Sequence, residues 1–270
     1  MKSVAGHPLA IDHLTVLGAG PEEMVEIAAA LEVGLIGPIS LEPGVMPGAF
    51  DLRPGTADTA VMKAALARTG VRINNMDCAA LWPETSFDVL RAKLEGAAEL
   101  GARGVATLSF DPDAGRYFEN FCRLGEITRE LGLLLVLEFT PLSQLPTLES
   151  AVDLVRRAGL AHARVLVDFM HLTLSGGTAC DLAGLGADII SGAQICDGPR
   201  ERTMEQYGHD AMACRQLPGE GEYDFAGILA ALPQGVPVAL EVPRAAEAEA
   251  GMSPLERARA AVDATMGFDR

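Results

Sequence analysis

Four oxygen-bearing side chains stand at the ends of four short apolar runs. LLLVLEFTP carries Glu138, ARVLVDFMH carries Asp168, DIISGAQICD carries Gln194 and PVALEVP carries Glu241. A charge is costly to bury without a partner, so each carboxylate faces solvent, meets a cation or pairs with a base. A lone strand-end carboxylate is ordinarily one half of an ion pair with Arg. Four such residues in register at successive strand ends argue instead for a site. Three carboxylates brought together raise one another's pKa unless a cation neutralises them. A ligand set made of oxygens, with no His or Cys, suits a hard divalent ion such as Mn²⁺ or Mg²⁺ better than Zn²⁺.

The four runs act together only if the chain holds them parallel. Strand-like runs at 9–17, 34–41, 71–77, 103–110, 133–140, 163–169, 188–196 and 237–242 alternate with helical stretches. The helices are expected over 21–31, 56–69, 86–100, 115–131, 147–157, weakly near Asp181, and over 223–232 and 253–266. Pro21 and Pro254 sit at first turns, Thr56, Ser86 and Thr147 suit N-caps, and Gly101 and Gly159 suit helix ends. Apolar runs of this length, bounded by Gly and Pro, fit parallel strands covered on both faces. Eight strand–helix pairs without a break in composition predict an α/β fold, a single-domain (βα)8 TIM barrel over residues 1–270. An open parallel sheet is the competing fold, but no GxGxxG or GxxxxGK[ST] follows the first strand. In a barrel, the ends of strands five to eight bring the four side chains to one side of the C-terminal mouth.

Composition narrows the function. A net charge of −16 with scattered arginines and three lysines opposes a nucleic-acid or anionic-membrane surface. No run is long and apolar enough to cross a bilayer. The opening MKSVAGHPLA has no apolar core of an export signal. Five cysteines without a CxxC pair read as free thiols of a reducing compartment, so a cytoplasmic location is expected.

Other residues are candidates for the mouth. His171 lies three residues past Asp168, Arg200 follows Asp197-Gly198-Pro199, Arg244 follows Glu241, and His13 lies in the first strand. These are the candidate substrate-binding residues, with Arg200 suited to a hydroxyl, carboxylate or phosphate. Asn74, Asn75 and Trp82 offer further lining. The loop 197–221, with Tyr207 and His209, is long enough to be a lid, binding segment or interface, and loop 42–55 is rich in Pro and Gly. Glu220 reads as a loop contact and Cys196 as a small buried residue.

The pieces LEFTP, VDFMH, QICDGP, LPGEGEYDF at 217–225 and LEVP together resemble the sugar phosphate isomerase/epimerase superfamily, the xylose-isomerase-like barrels, along nearly the whole chain. The resemblance implies one divalent metal held by Glu138, Asp168, Gln194 and Glu241, with His171 on substrate. Many members carry His where this chain has Gln194; Gln occurs in some branches, dehydroshikimate dehydratase-like members included. The implied chemistry is proton transfer beside a carbonyl of a small polyol or keto-sugar, with Glu138 and Glu241 as the catalytic pair. Proton return gives an isomerase or epimerase. Loss of a β-hydroxyl from the same enolate gives a lyase, such as a 3-dehydroshikimate dehydratase, an inosose dehydratase or an enzyme eliminating from a keto-glycoside. The apurinic endonucleases of the superfamily need more His ligands and a cationic face than five His and this charge provide. A non-catalytic metabolite-binding barrel is the reading outside enzymes. Barrels of this kind commonly dimerise or tetramerise, so a homo-oligomer is expected.

Overall fold

The computed structural model describes residues 1–40, 48–77 and 79–269. Its sheet forms a parallel barrel. The strands are β1 (His7–Asp12), β2 (Leu35–Gly37), β3 (Arg72–Ile73, resuming at Asn75–Met76), β4 (Gly104–Thr107), β5 (Leu134–Glu138), β6 (Ala163–Asp168), β7 (Ile190–Ile195) and β8 (Val238–Leu240). The first piece of β3 pairs with β2 and the second with β4, while β8 pairs with both β1 and β7. The ring closes through Asn74, whose N–H donates to Ile36 O and whose carbonyl accepts from Gly104 N–H. A short strand, Ser3–Val4, adds antiparallel to β1. No described helix is long and apolar enough to cross a membrane.

The strands are apolar throughout because both faces are covered. Every residue of β7 is buried, as are Leu135, Val136 and Leu137 of β5. The outer layer includes α1 (Pro21–Ala30), α2 (Ala57–Thr69), α3 (Phe87–Glu99), α4 (Ala114–Glu130), α5 (Leu148–Ala158) and, after two short helices described below, α8 (Phe225–Ala231) and, past the short α9 (Ala245–Glu249), α10 (Pro254–Met266). Their ends follow the caps expected from sequence. Thr56, Ser86 and Thr147 accept from the N–H three residues on, and Gly101 after α3 and Gly159 at the end of α5 are in the left-handed region, as is Gly70, not foreseen, at the end of α2.

Three local expectations are corrected. The first strand stops at Asp12 rather than 17, and His13–Val16 form a 3-10 turn. Thr15 causes the bend: its hydroxyl donates to Leu240 O (2.7 Å) and accepts from Val242 N–H (2.9 Å), folding the chain over the end of β8. The excursion 197–221 is not a bare loop, since it contains α7 (Met204–Ala213), opened by a capping box between Thr203 and Gln206. A short helix, α6 (Phe169–Leu174), begins directly on Asp168, ahead of a 3-10 turn at Ala179–Leu182 where the weak helix was expected. Of loop 42–55, residues 42–47 lie outside the described residues, as does Cys78. Cys122, Cys180, Cys196 and Cys214 are unbridged.

Candidate active site

The C-terminal mouth is built by strand ends. Glu138 is the last residue of β5 and Asp168 the last of β6; both are buried. Asp168 Oδ1 accepts from the N–H groups of Met170 (2.6 Å) and His171 (3.1 Å), so the carboxylate is also the N-cap of α6. That cap turns His171 back over the mouth, where its Nε2 lies 3.2 Å from Glu138 Oε1. Its Nδ1 lies 2.7 Å from the Tyr207 hydroxyl, which is 2.6 Å from Thr140 Oγ1. A carboxylate only accepts, so the network assigns one direction. Thr140 donates to Tyr207, Tyr207 to His171 Nδ1, and the Nε2–H of His171 to Glu138.

Arg215 occupies the centre. Its Nη1 is 2.6 Å from Asp168 Oδ2 and 2.8 Å from Glu241 Oε2, and all three side chains are buried. Burial alone would favour a neutral Arg215, but Asp168 and Glu241 outweigh it and keep the guanidinium protonated. The two carboxyls respond differently. Burial pushes Asp168 up, yet the charge of Arg215 and the amide N–H of His171 overcome it and hold the group at about 2. Glu241 has no backbone donor among the described residues, and burial lifts it well above the usual carboxylate range despite Arg215.

A second cluster fills the opposite arc. Asp12 ends β1, Asp77 directly follows β3, and Glu241 directly follows β8. One ligand atom from each of these three lies within 4.8 Å of the other two, and the same holds for Glu138, Asp168 and His171. Gln194, on β7, joins the arcs: its Nε2 donates to Asp12 Oδ2 and Glu241 Oε1, each at 3.0 Å. Room for Asp12 comes from Gly37, where a Cβ would lie 2.0 Å from Asp12 Oδ1. Burial, opposed by the Gln194 hydrogen bond and reinforced by the charge of Glu138, pushes Asp12 up to about 7. Burial, with the charges of Asp12 and Glu138, lifts Asp77 well above its ordinary value. Asp77 Oδ1 and Gln194 Oε1 are buried without a hydrogen-bond partner among the described residues.

The structure therefore brings Glu138, Asp168, Gln194, Glu241 and His171 to one mouth. His13 is buried beside it. Its Nδ1 accepts from Ile39 N–H (3.1 Å), its ring packs on Phe50, and burial lowers its pKa to about 4, so it is neutral with Nε2–H as donor. Arg200 is exposed, with Nε donating to Glu222 O (2.7 Å). Arg244 pairs with Glu247. Asn74 and Asn75 are buried in β3, Trp82 is half exposed and stacked on Phe110, and His209 is exposed on α7. Glu220 accepts from Leu217 N–H within its own turn, and Cys196 is buried 3.6 Å from Arg215 Nη1.

Sequence reasoning passed over Asp12, Asp77 and Arg215. The strand-end rule that selected Glu138 applies equally to Asp12 and Asp77; running the first strand on to residue 17 hid Asp12. Arg215 carried no such signal, being one Arg in a long connection.

The residues fit a divalent cation. Five buried carboxyls share the mouth with one guanidinium, and burial raises three of them, Asp12, Asp77 and Glu241; a divalent cation would supply the positive charge that lets all five ionise. The unpartnered Gln194 Oε1 adds a neutral oxygen of the kind a hard ion takes. Glu138, Asp168, Gln194 and Glu241 would hold such an ion.

Comparison with known proteins agrees with this fold. The profile of the xylose isomerase-like TIM barrel family matches residues 26–264. No protein with a curated description matches the sequence. Among solved structures, a xylose isomerase-like TIM barrel/4-hydroxyphenylpyruvate dioxygenase fusion protein is 21% identical with TM-score 0.79; the alignment covers 96% of this chain and 42% of the fusion. The IOLI protein, crystallised with a zinc atom, is 15% identical over 97% of each chain, with TM-score 0.79. D-allulose 3-epimerase from Methylomonas sp. is 16% identical over 99% of this chain and 100% of its own, with TM-score 0.72.

Proposed function

The chain belongs to the xylose isomerase-like TIM barrel family, and from that premise we propose that it is a divalent-metal-dependent isomerase or epimerase of a small ketose or keto-polyol. The observation that carries the reading is the pair Glu138 and Glu241, buried carboxylates that flank Asp168 and Gln194 in the order of the strands. A substrate seated between them meets a proton acceptor and a proton donor on two sides. An ion held by Glu138, Asp168, Gln194 and Glu241, Mn²⁺ or Mg²⁺ by the preference of oxygen donors, would supply Lewis-acid stabilisation of negative charge developing on a substrate oxygen.

The chain's own residues do the rest. Glu138 takes the proton next to the carbonyl, and the Nε2–H of His171 fixes which carboxylate lone pairs are free. Glu241 delivers a proton to the other face, giving epimerisation, and return to the neighbouring carbon gives isomerisation. Arg215 offers a guanidinium to substrate oxygens in the centre of the mouth, and His13 offers Nε2–H at its edge. Asp168 stays ionised throughout, because Arg215 and two backbone amides stabilise its charge. The fold shared with a D-allulose 3-epimerase supports a sugar-like substrate.

One observation favours a second reading. The Thr140–Tyr207–His171 chain could protonate a departing β-hydroxyl, which would make the enzyme a lyase on the same scaffold. Incubation in D₂O with Mn²⁺ and a panel of ketoses, keto-polyols and keto-acids separates the two. Solvent deuterium entering recovered substrate or its epimer supports the first reading; a new ultraviolet-absorbing enone with loss of water supports the second. Glu138→Gln and Glu241→Gln should each lower turnover by at least about a thousandfold, in the range of lost acid–base catalysis, with the circular dichroism spectrum unchanged. Full turnover after exhaustive chelation would overturn the mechanism.

A further inference from the structure

The end of the barrel opposite the mouth carries the reverse charge. A cleft of about 230 Å³ opens there, at the N-terminal ends of β1, β2, β3 and β8 and beside the residue that enters β4. Its described lining includes Lys2, Arg72 and Arg103 and no Asp or Glu, in a chain with 37 acids to 21 Lys and Arg. Elsewhere the bases meet carboxylates: Arg68 pairs with Glu22 and Glu26, Arg91 with Glu130 and Arg116 with Asp111. In the cleft they meet neutral oxygens or nothing. Lys2 Nζ donates to Leu31 O (2.9 Å), and Arg103 Nη1 is shared between Asn74 Oδ1 (3.4 Å) and Ser191 O (3.2 Å). The Nε and Nη2 of Arg103 and the whole guanidinium of Arg72 have no acceptor among the described residues. The two arginines lie on adjacent strands, since the N–H of Arg103 donates to Ile73 O (3.1 Å). Burial and the like charge of Arg164 push Arg103 below its ordinary value, and Arg164 is itself held by the carbonyls of Ala161, Ala163 and Ala187.

We infer that this cleft binds a small phosphate-type dianion, gripped by the guanidiniums of Arg72 and Arg103 with the ammonium of Lys2 beside them. A guanidinium presents its N–H groups as a planar fork that matches two oxygens of one phosphate, and the unused donors of Arg72 and Arg103 supply two such forks. The net charge of −16 repels anions from the rest of the surface, so attraction is confined to the place where bases gather without acids. The apolar wall, with Leu9 and Pro237, leaves room for a short organic group on the phosphate. Occupancy has a structural effect. Arg103 already holds Asn74, the residue through which the ring of strands closes. A dianion bridging Arg72 and Arg103 ties β3 to β4 beside that closure and stabilises the folded chain.

Isothermal titration calorimetry of the full, chelated chain with inorganic phosphate tests the site. One phosphate per chain is expected, with affinity falling as NaCl is added. Arg72→Gln and Arg103→Gln should each weaken binding at least about tenfold, as loss of a charged hydrogen-bonding group does. Arg68→Gln, on the outer surface, should leave it unchanged. Folding does not confuse the result: Arg72 has no partner to lose, and glutamine at 103 keeps an amide donor. Phosphate should also raise the unfolding temperature of the parent chain and not that of Arg72→Gln. Butyl phosphate in place of phosphate identifies the source: tighter binding assigns a phosphomonoester, equal or weaker binding the free ion. No saturable binding overturns the inference, as does binding that Arg72→Gln and Arg103→Gln leave intact.

Discussion

The two arcs of the mouth carry similar side chains in opposite states. On the β5–β6 arc every acid has partners. Glu138 has His171, and Asp168 has two backbone amides and Arg215. On the β1–β3 arc Asp12 has a single neutral amide donor and Asp77 leaves one oxygen bare. The carboxyls follow: Asp168 is held at about 2, whereas Asp12 is pushed up to about 7. Burial is common to both, so donors within reach decide which acid keeps its charge. One arc is finished by the protein itself. On the other, Asp12 and Asp77 have fewer donors among the described residues.

The contrast breaks most sharply at Arg215. Arg215→Met leaves Asp168 and Glu241 buried without their cation and should cost about 3–5 kcal/mol, read from urea unfolding of chelated protein. Added Mn²⁺ should restore more stability to this variant than to the parent chain. A loss under about 1 kcal/mol would mean that the guanidinium is not what balances the β5–β6 arc.

A smaller effect is expected at Tyr207. Tyr207→Phe removes the hydroxyl between Thr140 and His171 and leaves Nδ1 without a donor, a cost of about 1–2 kcal/mol. Nitrogen-15 chemical shifts of His171 should show the tautomer mixture losing its bias toward Nε2–H; an unchanged tautomer would assign that bias to Glu138 alone.

The smallest effect tests the other arc. Asp77→Asn removes a charge that burial disfavours and breaks no hydrogen bond of Oδ1. In chelated protein it should be neutral or stabilising, by up to about 1 kcal/mol. A clear destabilisation at Asp77 would erase the distinction between the arcs.

How much of this was legible in the chain follows the same division. The barrel was legible because its strands are uninterrupted apolar runs and its helices carry local caps. The ligand candidates on β5 to β8 were legible because a polar residue ending such a run stands out against it. Asp12 was hidden because apolar residues continue past it, and only Thr15, tied to the backbone of β8, bends the chain there. Arg200 and Arg244 were attractive for standing close in sequence to the mouth, but their guanidiniums are engaged by Glu222 and Glu247. Arg215 reaches the centre from beyond α7, through a tertiary contact that no spacing announces.

Asp197 has a consequence for how this mouth can change. Its Oδ1 accepts from the N–H groups of Gly198 and Tyr223, its Oδ2 from that of Gly219, and its backbone pairs with Gln216. One side chain thus staples the start of the excursion to its finish. The segment between is carried to the rim on a fixed base. Tyr207 and Arg215 both ride on it. Exchange of that segment would retune what the mouth accepts without asking the barrel to refold.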